Sequence, residues 1–210
     1  MLLLSDPAIA RIPVEDCGEG LVDIRERREL ALDTRKQDTH GAWGRLRSGL
    51  VDRLLEAQET LPPGIRLLII EGHRPAHLQR LYFDGHRAEL AQAHPDWSAA
   101  RVTAEASKHV SPPEVAPHPC GAAVDLTLTQ DGRELDLGTP VNATPADSAN
   151  ACFTSAGNIT DAARERRDIL GTALSVAGLV NYPPEWWHWS YGDRYWAAVT
   201  SATHAIYEPR

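Results

Sequence analysis

Five residues near the end of the chain, from Glu185 to Trp189, combine one carboxylate, one imidazole and three indoles. A neutral imidazole is a good zinc ligand, and a carboxylate three residues away can reach a water molecule on the metal if the chain bends. Pro183 and Pro184 favour such a bend, because each fixes its own φ and biases the preceding residue toward extended geometry. The stretch alone is equally compatible with an aromatic core strand that carries a buried, hydrogen-bonded histidine.

Two further candidates lie upstream, His118 in a proline-bounded loop and Asp125 on the polar face of the strand that follows. Gly121 lies between them and gives the backbone room to fold. An aspartate within an apolar strand is unfavourable unless it is paired or bound to a metal. Taken alone, this pair favours a hydrogen-bonded strand carboxylate and an ordinary loop histidine. Together with Glu185 and His188, it indicates a catalytic zinc site with two imidazoles, one carboxylate and a fourth position for water.

Two motifs in this chain resemble those of a known family. Residues 118–125, His-Pro-Cys-Gly-Ala-Ala-Val-Asp, resemble its H-x-x-G-x-A-x-D signature, and residues 185–188 resemble its E-W-W-H signature. The family is that of the D-alanyl-D-alanine dipeptidases, within the wider group of zinc peptidases that includes D,D-carboxypeptidases and Hedgehog-type domains. The resemblance covers the chain from about Trp43 onward, with the motifs in the family's order.

The resemblance implies a role for each candidate residue. It makes His118, Asp125 and His188 the ligands of one Zn²⁺ per chain. It makes Glu185 the general base and Arg74, in a G-x-R-P loop, the cation that stabilises the developing oxyanion. Zinc lowers the pKa of a water molecule from 15.7 to roughly 7, which suits this set. Without the resemblance, Arg74 is an ordinary surface or salt-bridging arginine.

This chain also departs from the family pattern. Asn142 stands where the family commonly has an aspartate that is thought to meet the substrate ammonium, and a neutral hydrogen bond is about half as strong as a charge-assisted one. Asp147 is the nearest acidic residue that could compensate, so Asn142 and Asp147 are candidate substrate-binding residues. Ala116 and Cys120 replace a serine and an arginine that often flank the first ligand. We expect Cys120 to have a packing role.

The elements that must position these residues alternate between helices and strands. Apolar spacing and turn signals predict, in chain order, an amphipathic helix from Trp43 to about Leu61, a strand over Ile65–Ile70, a loop over Glu71–Pro75, helices over Leu78–Leu90 and Ser98–Ala106, a strand over Ala122–Thr129, a hairpin turn over Gln130–Arg133, a long loop over 138–158 and a helix from Thr160 to Ala177. They predict an α+β fold in which a small antiparallel sheet carries the zinc site and packs against several helices. We expect residues 1–210 to form a single domain, with 1–40 as an N-terminal extension packed on it.

Composition narrows the possible partners. The 210 residues are 42% hydrophobic and 24% charged, without a long apolar run, which is typical of a soluble globular protein. A net charge of -8 argues against nucleic acid and anionic membranes and favours a small dipeptide. The three cysteines are widely spaced and form no C-x-x-C motif, so a reducing compartment fits best. The apolar stretch from Met1 to Leu4 is too short for a signal peptide, and we expect a cytoplasmic protein.

The sequence therefore predicts zinc-dependent hydrolysis of D-Ala-D-Ala or a similar short D-amino-acid dipeptide. One alternative is a zinc D,D- or L,D-carboxypeptidase that acts on peptidoglycan stem peptides, which would normally require export and an open cleft. Another is a catalytically inactive zinc-binding domain. Glu185 and Arg74 argue against the inactive domain, since neither is needed to hold zinc. The oligomeric state and the biological role stay open.

Overall fold

A six-stranded sheet lies at the centre of the computed structural model, which describes residues 1–210. The eight strands of the chain are β1 (Leu21–Asp23), β2 (Ala31–Leu32), β3 (Arg45–Arg47), β4 (Ile65–Glu71), β5 (Ala123–Gln130), β6 (Arg133–Glu134), β7 (Val180–Asn181) and β8 (His188–Ser190). The six α-helices are α1 (Pro7–Ala10), α2 (Ser48–Thr60), α3 (Ala76–Ala93), α4 (Ala99–Ala106), α5 (Asp161–Val176) and α6 (Arg194–Thr200). None of these helices is both long and apolar enough to span a bilayer.

The strand order of the main sheet is β2-β4-β5-β8-β7, with β6 paired to β5 beyond the tight turn at Asp131 and Gly132. All pairs are antiparallel except β2 with β4 at the edge. The register places Asp125 of β5 opposite Glu71 of β4 on one side and opposite His188 of β8 on the other. The predicted α+β class with a small antiparallel sheet is confirmed, and its central strands bring polar residues together at one end.

The main core lies between the sheet and the pair of helices α2 and α5. Leu50 and Leu54 of α2 and Leu170 and Leu174 of α5 are all essentially inaccessible to solvent. Burial of each such side chain contributes about 1.5–3 kcal/mol relative to leaving it exposed. The Thr160 hydroxyl caps α5 by accepting a hydrogen bond from the backbone of the third helical residue. This packing holds the sheet, and with it the polar residues at the sheet's end.

The helix predicted from Trp43 begins later than the apolar spacing indicates, at Ser48. Trp43 lies in a short 3₁₀ turn, and Leu46 lies in β3, which pairs with β1. Both side chains are buried in these conformations. A spacing of three residues fits a helix, but the backbone of β1 supplies hydrogen bonds that a helix would otherwise make within itself. The tertiary pairing therefore overrides the local pattern here.

The N-terminal segment packs against the remainder of the chain. Leu4 and Ile9 form a small buried cluster with Val115, Tyr182 and Tyr195. The charged run Arg25–Glu29 is exposed along its length. The expectation that residues 1–210 form one domain stays a prediction.

Candidate metal centre

Three buried side chains converge where β5 and β8 lie side by side. His118 opens a short 3₁₀ turn before β5, Asp125 lies within β5, and His188 is the first residue of β8. One candidate ligand atom from each residue lies within 4.8 Å of those from the other two. All three side chains are less than 10% exposed. The sheet register thus brings together residues that lie up to 70 positions apart in the sequence.

The imidazole of His118 is held by the backbone of the loop after β4. Its Nδ1 lies 2.7 Å from the carbonyl oxygen of Gly72, so Nδ1 carries the proton and donates to that oxygen. Its Nε2 is then an unprotonated nitrogen, 3.4 Å from Oδ1 of Asp125. Gly72 itself lies tightly against the neighbouring backbone. A Cβ at this position would lie 2.6 Å from the carbonyl oxygen of Arg45, so only a glycine fits there. A carbonyl behind a ligating histidine is the usual means of fixing its tautomer and orientation.

The second imidazole approaches the same carboxylate oxygen. Nδ1 of His188 lies 2.9 Å from Oδ1 of Asp125, and the His118 and His188 rings meet edge to face with centroids 5.0 Å apart. Burial alone would raise the pKa of Asp125, but its interactions with His118 and His188 outweigh burial and hold that pKa well below its usual range. The carboxylate is therefore ionised, as a metal ligand must be.

The donor set fits zinc. Two imidazole nitrogens and one carboxylate oxygen are common zinc ligands, and a tetrahedral ion with bonds of about 2.0–2.1 Å holds its ligand atoms roughly 3.4 Å apart. The separations of 2.9 and 3.4 Å from Oδ1 of Asp125 lie near that value. Three protein ligands leave one position open, which is the arrangement of catalytic rather than structural zinc sites.

Glu185 lies beside this cluster at the bend before β8, as the sequence predicts. The backbone turns there, because the N–H of Glu185 donates to the carbonyl of Tyr182 and the N–H of His188 donates to that of Glu185. The carboxylate oxygen Oε2 lies 3.8 Å from Nδ1 of His188, and the side chain is 26% exposed. In the metal-free chain, burial raises the pKa of Glu185 to about 7, although the charges of His188 and Arg74 lower it.

Arg74 is held rigidly at the edge of the same site. Its Nε and one terminal nitrogen donate to the two oxygens of Glu71, both at 2.7 Å, and its other terminal nitrogen donates to Oε1 of Gln79 at 2.8 Å. A guanidinium has five N–H groups, so two remain for a ligand. Burial alone would lower the pKa of Arg74, but the carboxylate of Glu71 outweighs it and raises that pKa.

The cluster opens into a cavity of about 430 Å³. Besides the three candidate ligands, Glu185 and Arg74, its lining includes Asn142 but not Asp147. Asp147 is exposed, and its carboxylate accepts a hydrogen bond of 2.6 Å from the Thr144 hydroxyl within a local turn. The structure therefore brings Asn142 to the candidate site and leaves Asp147 outside it, because the turn directs that carboxylate back onto its own segment.

Cys120 packs in the interior, as expected. Its thiol is buried, with the sulfur 3.8 Å from the carbonyl oxygen of Ala116, and burial raises its pKa to about 12. A thiol with so high a pKa is a poor nucleophile at neutral pH, and Cys120 does not belong to the cluster of candidate metal ligands. All three cysteines are free.

The sequence reasoning missed the residues that hold the candidate site in place. Glu71 fixes Arg74, Gly72 fixes His118, and Gln79 links Arg74 to the carbonyl of Ser111. The signal for Glu71 was present, since an acid at the end of a buried strand needs a cation and Arg74 follows three residues later. The roles of Gly72 and Gln79 depend on contacts across the fold and leave no mark in the local sequence.

Comparisons with known proteins place the chain. Residues 48–206, most of the chain, match the family model described as Peptidase_M15, D-ala-D-ala dipeptidase. A D-alanyl-D-alanine dipeptidase of Synechocystis sp. is 30% identical over 223 residues, which cover 92% of this chain and 90% of the relative. The chain belongs to the D-Ala-D-Ala dipeptidase family. It is accordingly a zinc metallopeptidase.

Solved structures also resemble this family member. The LdcB LD-carboxypeptidase aligns with a TM-score of 0.51 and 16% identity over 88% of this chain and 73% of that one, which shows a shared fold. A vancomycin resistance D,D-pentapeptidase, VanY, solved in complex with Zn(II), aligns with a TM-score of 0.42 and 20% identity over 81% of this chain and 84% of that one.

Proposed function

We propose that this chain hydrolyses D-Ala-D-Ala or a similar short D-amino-acid dipeptide, with one Zn²⁺ held by His118, Asp125 and His188. The observation that carries the proposal is the convergence of these side chains with Glu185 and Arg74 on one cavity of about 430 Å³. That volume is in the lower part of the range for small-molecule sites and suits a dipeptide. The curated dipeptidase relative, similar over most of its length, supports the same substrate class.

Zinc, when bound, supplies Lewis-acid activation of water and polarises the scissile carbonyl. Glu185 lies close enough to the cluster to accept a proton from the attacking water and return it to the leaving amine. The bend over residues 185–188 brings Glu185 next to His188.

Arg74 is proposed to stabilise the negative charge that develops on the carbonyl oxygen. Its two free N–H groups and its rigid anchoring by Glu71 supply donors that need no rearrangement during the reaction. Because Glu71 neutralises much of the charge in the ground state, Arg74 would act mainly as a directed hydrogen-bond donor. Asn142, in the loop between β6 and α5, is proposed to contact the substrate. No such role is supported for Asp147.

A carboxypeptidase acting on longer peptidoglycan stem peptides is the second candidate. Asn142 favours this candidate, because a neutral amide in the cavity lining binds a free substrate ammonium more weakly than a carboxylate would. The likeness to an LD-carboxypeptidase shows the fold alone. We also propose a cytoplasmic location, which is supported by the dipeptidase relative and by the three free cysteines.

Turnover with a panel of substrates tests the proposal. We expect the zinc-loaded protein to hydrolyse D-Ala-D-Ala, and to act far more slowly on L-Ala-L-Ala and on N-acetyl-D-Ala-D-Ala. A protein treated with a chelator and reconstituted without metal serves as the control and should be inactive. Faster hydrolysis of the N-acetylated peptide would overturn the dipeptidase proposal and favour the carboxypeptidase.

A further inference from the structure

The lining of this cavity contains both lysines of the chain. Lys36 and Lys108 are the only lysines among the 210 residues, and the other Lys and Arg positions are all arginine. Lys36 comes from the loop after β2 and Lys108 from the turn after α4, so two distant segments each bring a lysine to the same cavity. Lys36 is partly buried there.

The charges around the cavity are unbalanced in favour of cations. Asp125 and Glu185 are the only acidic residues in the lining, and both already have proposed roles at the metal. No lining carboxylate therefore remains to meet a substrate ammonium. On the cationic side, the charge of Arg74 is matched by Glu71, but Lys36 has no carboxylate within 4.0 Å.

The two lysines differ in how freely their charge is available. Lys108 pairs with Glu105 at 2.7 Å, but the two side chains are 45% and 34% exposed, so solvent weakens the pair and lets it exchange partners. Arg35, the neighbour of Lys36, is paired with Asp33 and Glu134 and does not line the cavity. Lys36 is therefore the unpaired cation of its loop.

Two imidazoles, of His86 and His109, also line the cavity. His86 of α3 and His109, just after α4, meet edge to face with centroids 6.0 Å apart. Nε2 of His86 is shielded from solvent and has no hydrogen-bond partner. Partial desolvation lowers the pKa of His109, and the positive charges of His86 and Lys108 lower it further. Near pH 7 His109 is thus a neutral ring that can donate an N–H.

We propose that Lys36, Lys108, His86 and His109 form a carboxylate-binding wall that takes the free carboxylate of a peptide substrate. The inference rests on the proposed peptidase function and names the substrate end that this cavity recognises. The two ammonium groups carry donors and no acceptors, each imidazole can donate an N–H, and charge-assisted bonds are roughly twice as strong as neutral ones. Recognition then depends on the carboxylate end of the peptide, because no lining carboxylate is free to pair with the amino end.

Kinetics on matched substrates test the wall. For Lys36→Gln we expect KM for free-acid D-Ala-D-Ala to rise about tenfold, which corresponds to about 1.4 kcal/mol, with kcat little changed. For D-Ala-D-Ala amide, which lacks the carboxylate, the same substitution should leave kcat/KM unaltered. Lys36→Arg should restore most of the affinity. Arg35→Gln is the matched control, because it removes one charge from the same loop outside the cavity, and its KM should stay near that of the unmutated protein.

The scarcity of lysine gives a second readout that does not depend on turnover. In the zinc-loaded Glu185→Gln protein, acetic anhydride can acetylate only Lys36, Lys108 and the amino terminus among the amines. D-Ala-D-Ala at saturating concentration should slow acetylation of Lys36 and Lys108 severalfold, measured by peptide mass spectrometry, while the amino terminus serves as the internal control. D-Ala-D-Ala amide should give no protection. Equal protection by the acid and the amide would overturn the wall.

The outcomes separate this inference from the function on which it rests. If the protein hydrolyses D-Ala-D-Ala but Lys36→Gln changes the kinetics of acid and amide equally, the wall is wrong and the peptidase proposal stands. If no dipeptide is hydrolysed, yet binding of N-acetyl-D-alanine measured by calorimetry weakens about tenfold in Lys36→Gln, the wall stands and the dipeptidase proposal falls.

Discussion

Asp125 is the residue around which the candidate metal centre is arranged. It lies in the middle of a buried strand, where an unpaired carboxylate would be strongly unfavourable. Two imidazoles approach one of its oxygens within 3.4 Å, and they keep it ionised against the effect of burial. The same residue therefore satisfies a structural need and offers a metal ligand, and this double role explains why a polar residue interrupts the apolar strand.

Replacement of the proposed base tests its role apart from metal binding. We expect Glu185→Gln to keep zinc, because the three proposed ligands are unchanged, and to lose turnover by about 10² to 10⁴ fold, the usual scale for positioned proton transfer. Steady-state kinetics together with metal analysis of the same sample check this. A fully metallated Glu185→Gln protein with near-normal kcat would rule out the base role.

The geometry of Arg74 makes a charge-conserving substitution informative. Lysine cannot form the two parallel hydrogen bonds to Glu71 that hold the guanidinium in place. We expect Arg74→Lys to lower kcat by about 10² fold or more, on the scale of losing an oxyanion donor, with zinc content unchanged. Arg66→Lys is the control, since Arg66 is an exposed residue on β4, the strand that precedes the loop of Arg74. Equal, small effects of both substitutions would exclude Arg74 from the reaction.

At the scale of elements, the segment between β6 and α5 depends on one buried arginine. Arg167 of α5 donates to the carbonyls of Leu137, Ala151 and Phe153, at 2.7 to 2.8 Å, and no carboxylate accompanies it. Burial lowers the pKa of Arg167 to about 10, so it is still charged at neutral pH. Through these bonds α5 fixes both ends of the segment that carries Asn142 into the cavity.

We expect Arg167→Lys to weaken this segment. One ammonium cannot satisfy three carbonyls in that geometry, and each buried carbonyl left without a donor costs about 1–3 kcal/mol. The free energy of unfolding should therefore fall by about 2–4 kcal/mol, and KM should rise while the metal content stays constant. Urea denaturation and kinetics measure the two effects. Arg166→Lys, on the partly buried neighbour that donates to a single carbonyl, is the control.

The elements differ in how well the sequence predicts them, for identifiable reasons. The strand with Asp125 follows from local alternation and the helix that begins near Thr160 from its apolar spacing, and both are confirmed. The predicted start of α2 at Trp43 was wrong, because the pairing of β3 with β1 overrides the helical spacing around that residue. The loop over 138–158 was predicted to lack regular structure, and it does. Its shape was not predictable, since Arg167 reaches it from a distant helix.

The residues of the candidate site also differ in how well the sequence predicts them. The resemblance of two motifs singled out the residues that the sheet register then brings together, His118, Asp125 and His188. The cavity wall with Lys36 and Lys108 was not predicted, because neither residue lies in a motif and their common position depends on the packing of three separate segments. Residues in a motif of fixed spacing can thus be recognised in the sequence, whereas the residues proposed to determine specificity come together only in the folded chain.

At the scale of the whole molecule, one fully buried arginine ties both ends of the chain to the site. Arg47 donates to the carbonyls of Glu19, Cys120 and Glu208 and forms an ion pair of 3.0 Å with Asp16. Its guanidinium also lies 4.9 Å from the ring centroid of Tyr207. Because Cys120 lies two residues after His118, this network connects the termini to the loop that holds the candidate ligand.

The Asp16 contact predicts how stability depends on pH. Burial alone would raise the pKa of Asp16, but backbone hydrogen bonds from Glu208 and Gly18 and the charge of Arg47 lower it below 3.8. A lowered pKa in the folded state stabilises the protein above the pKa of the unfolded state, and this stabilisation is lost as pH falls. We therefore expect the stability difference between the unmutated protein and Asp16→Asn, measured by urea denaturation, to be largest near neutral pH and to shrink below about pH 4. A difference that does not change with pH would contradict this.

The zinc content of purified variants tests the central claim most directly, because the proposed chemistry requires a metal at His118, Asp125 and His188. The unmutated protein should contain one zinc per chain, and His188→Ala should lose most of it while keeping its circular dichroism spectrum. His94→Ala, at a surface histidine stacked on Trp97 away from the cluster, should retain a full equivalent and controls for non-specific loss. A His188→Ala protein that still binds one full equivalent of zinc would contradict the assignment.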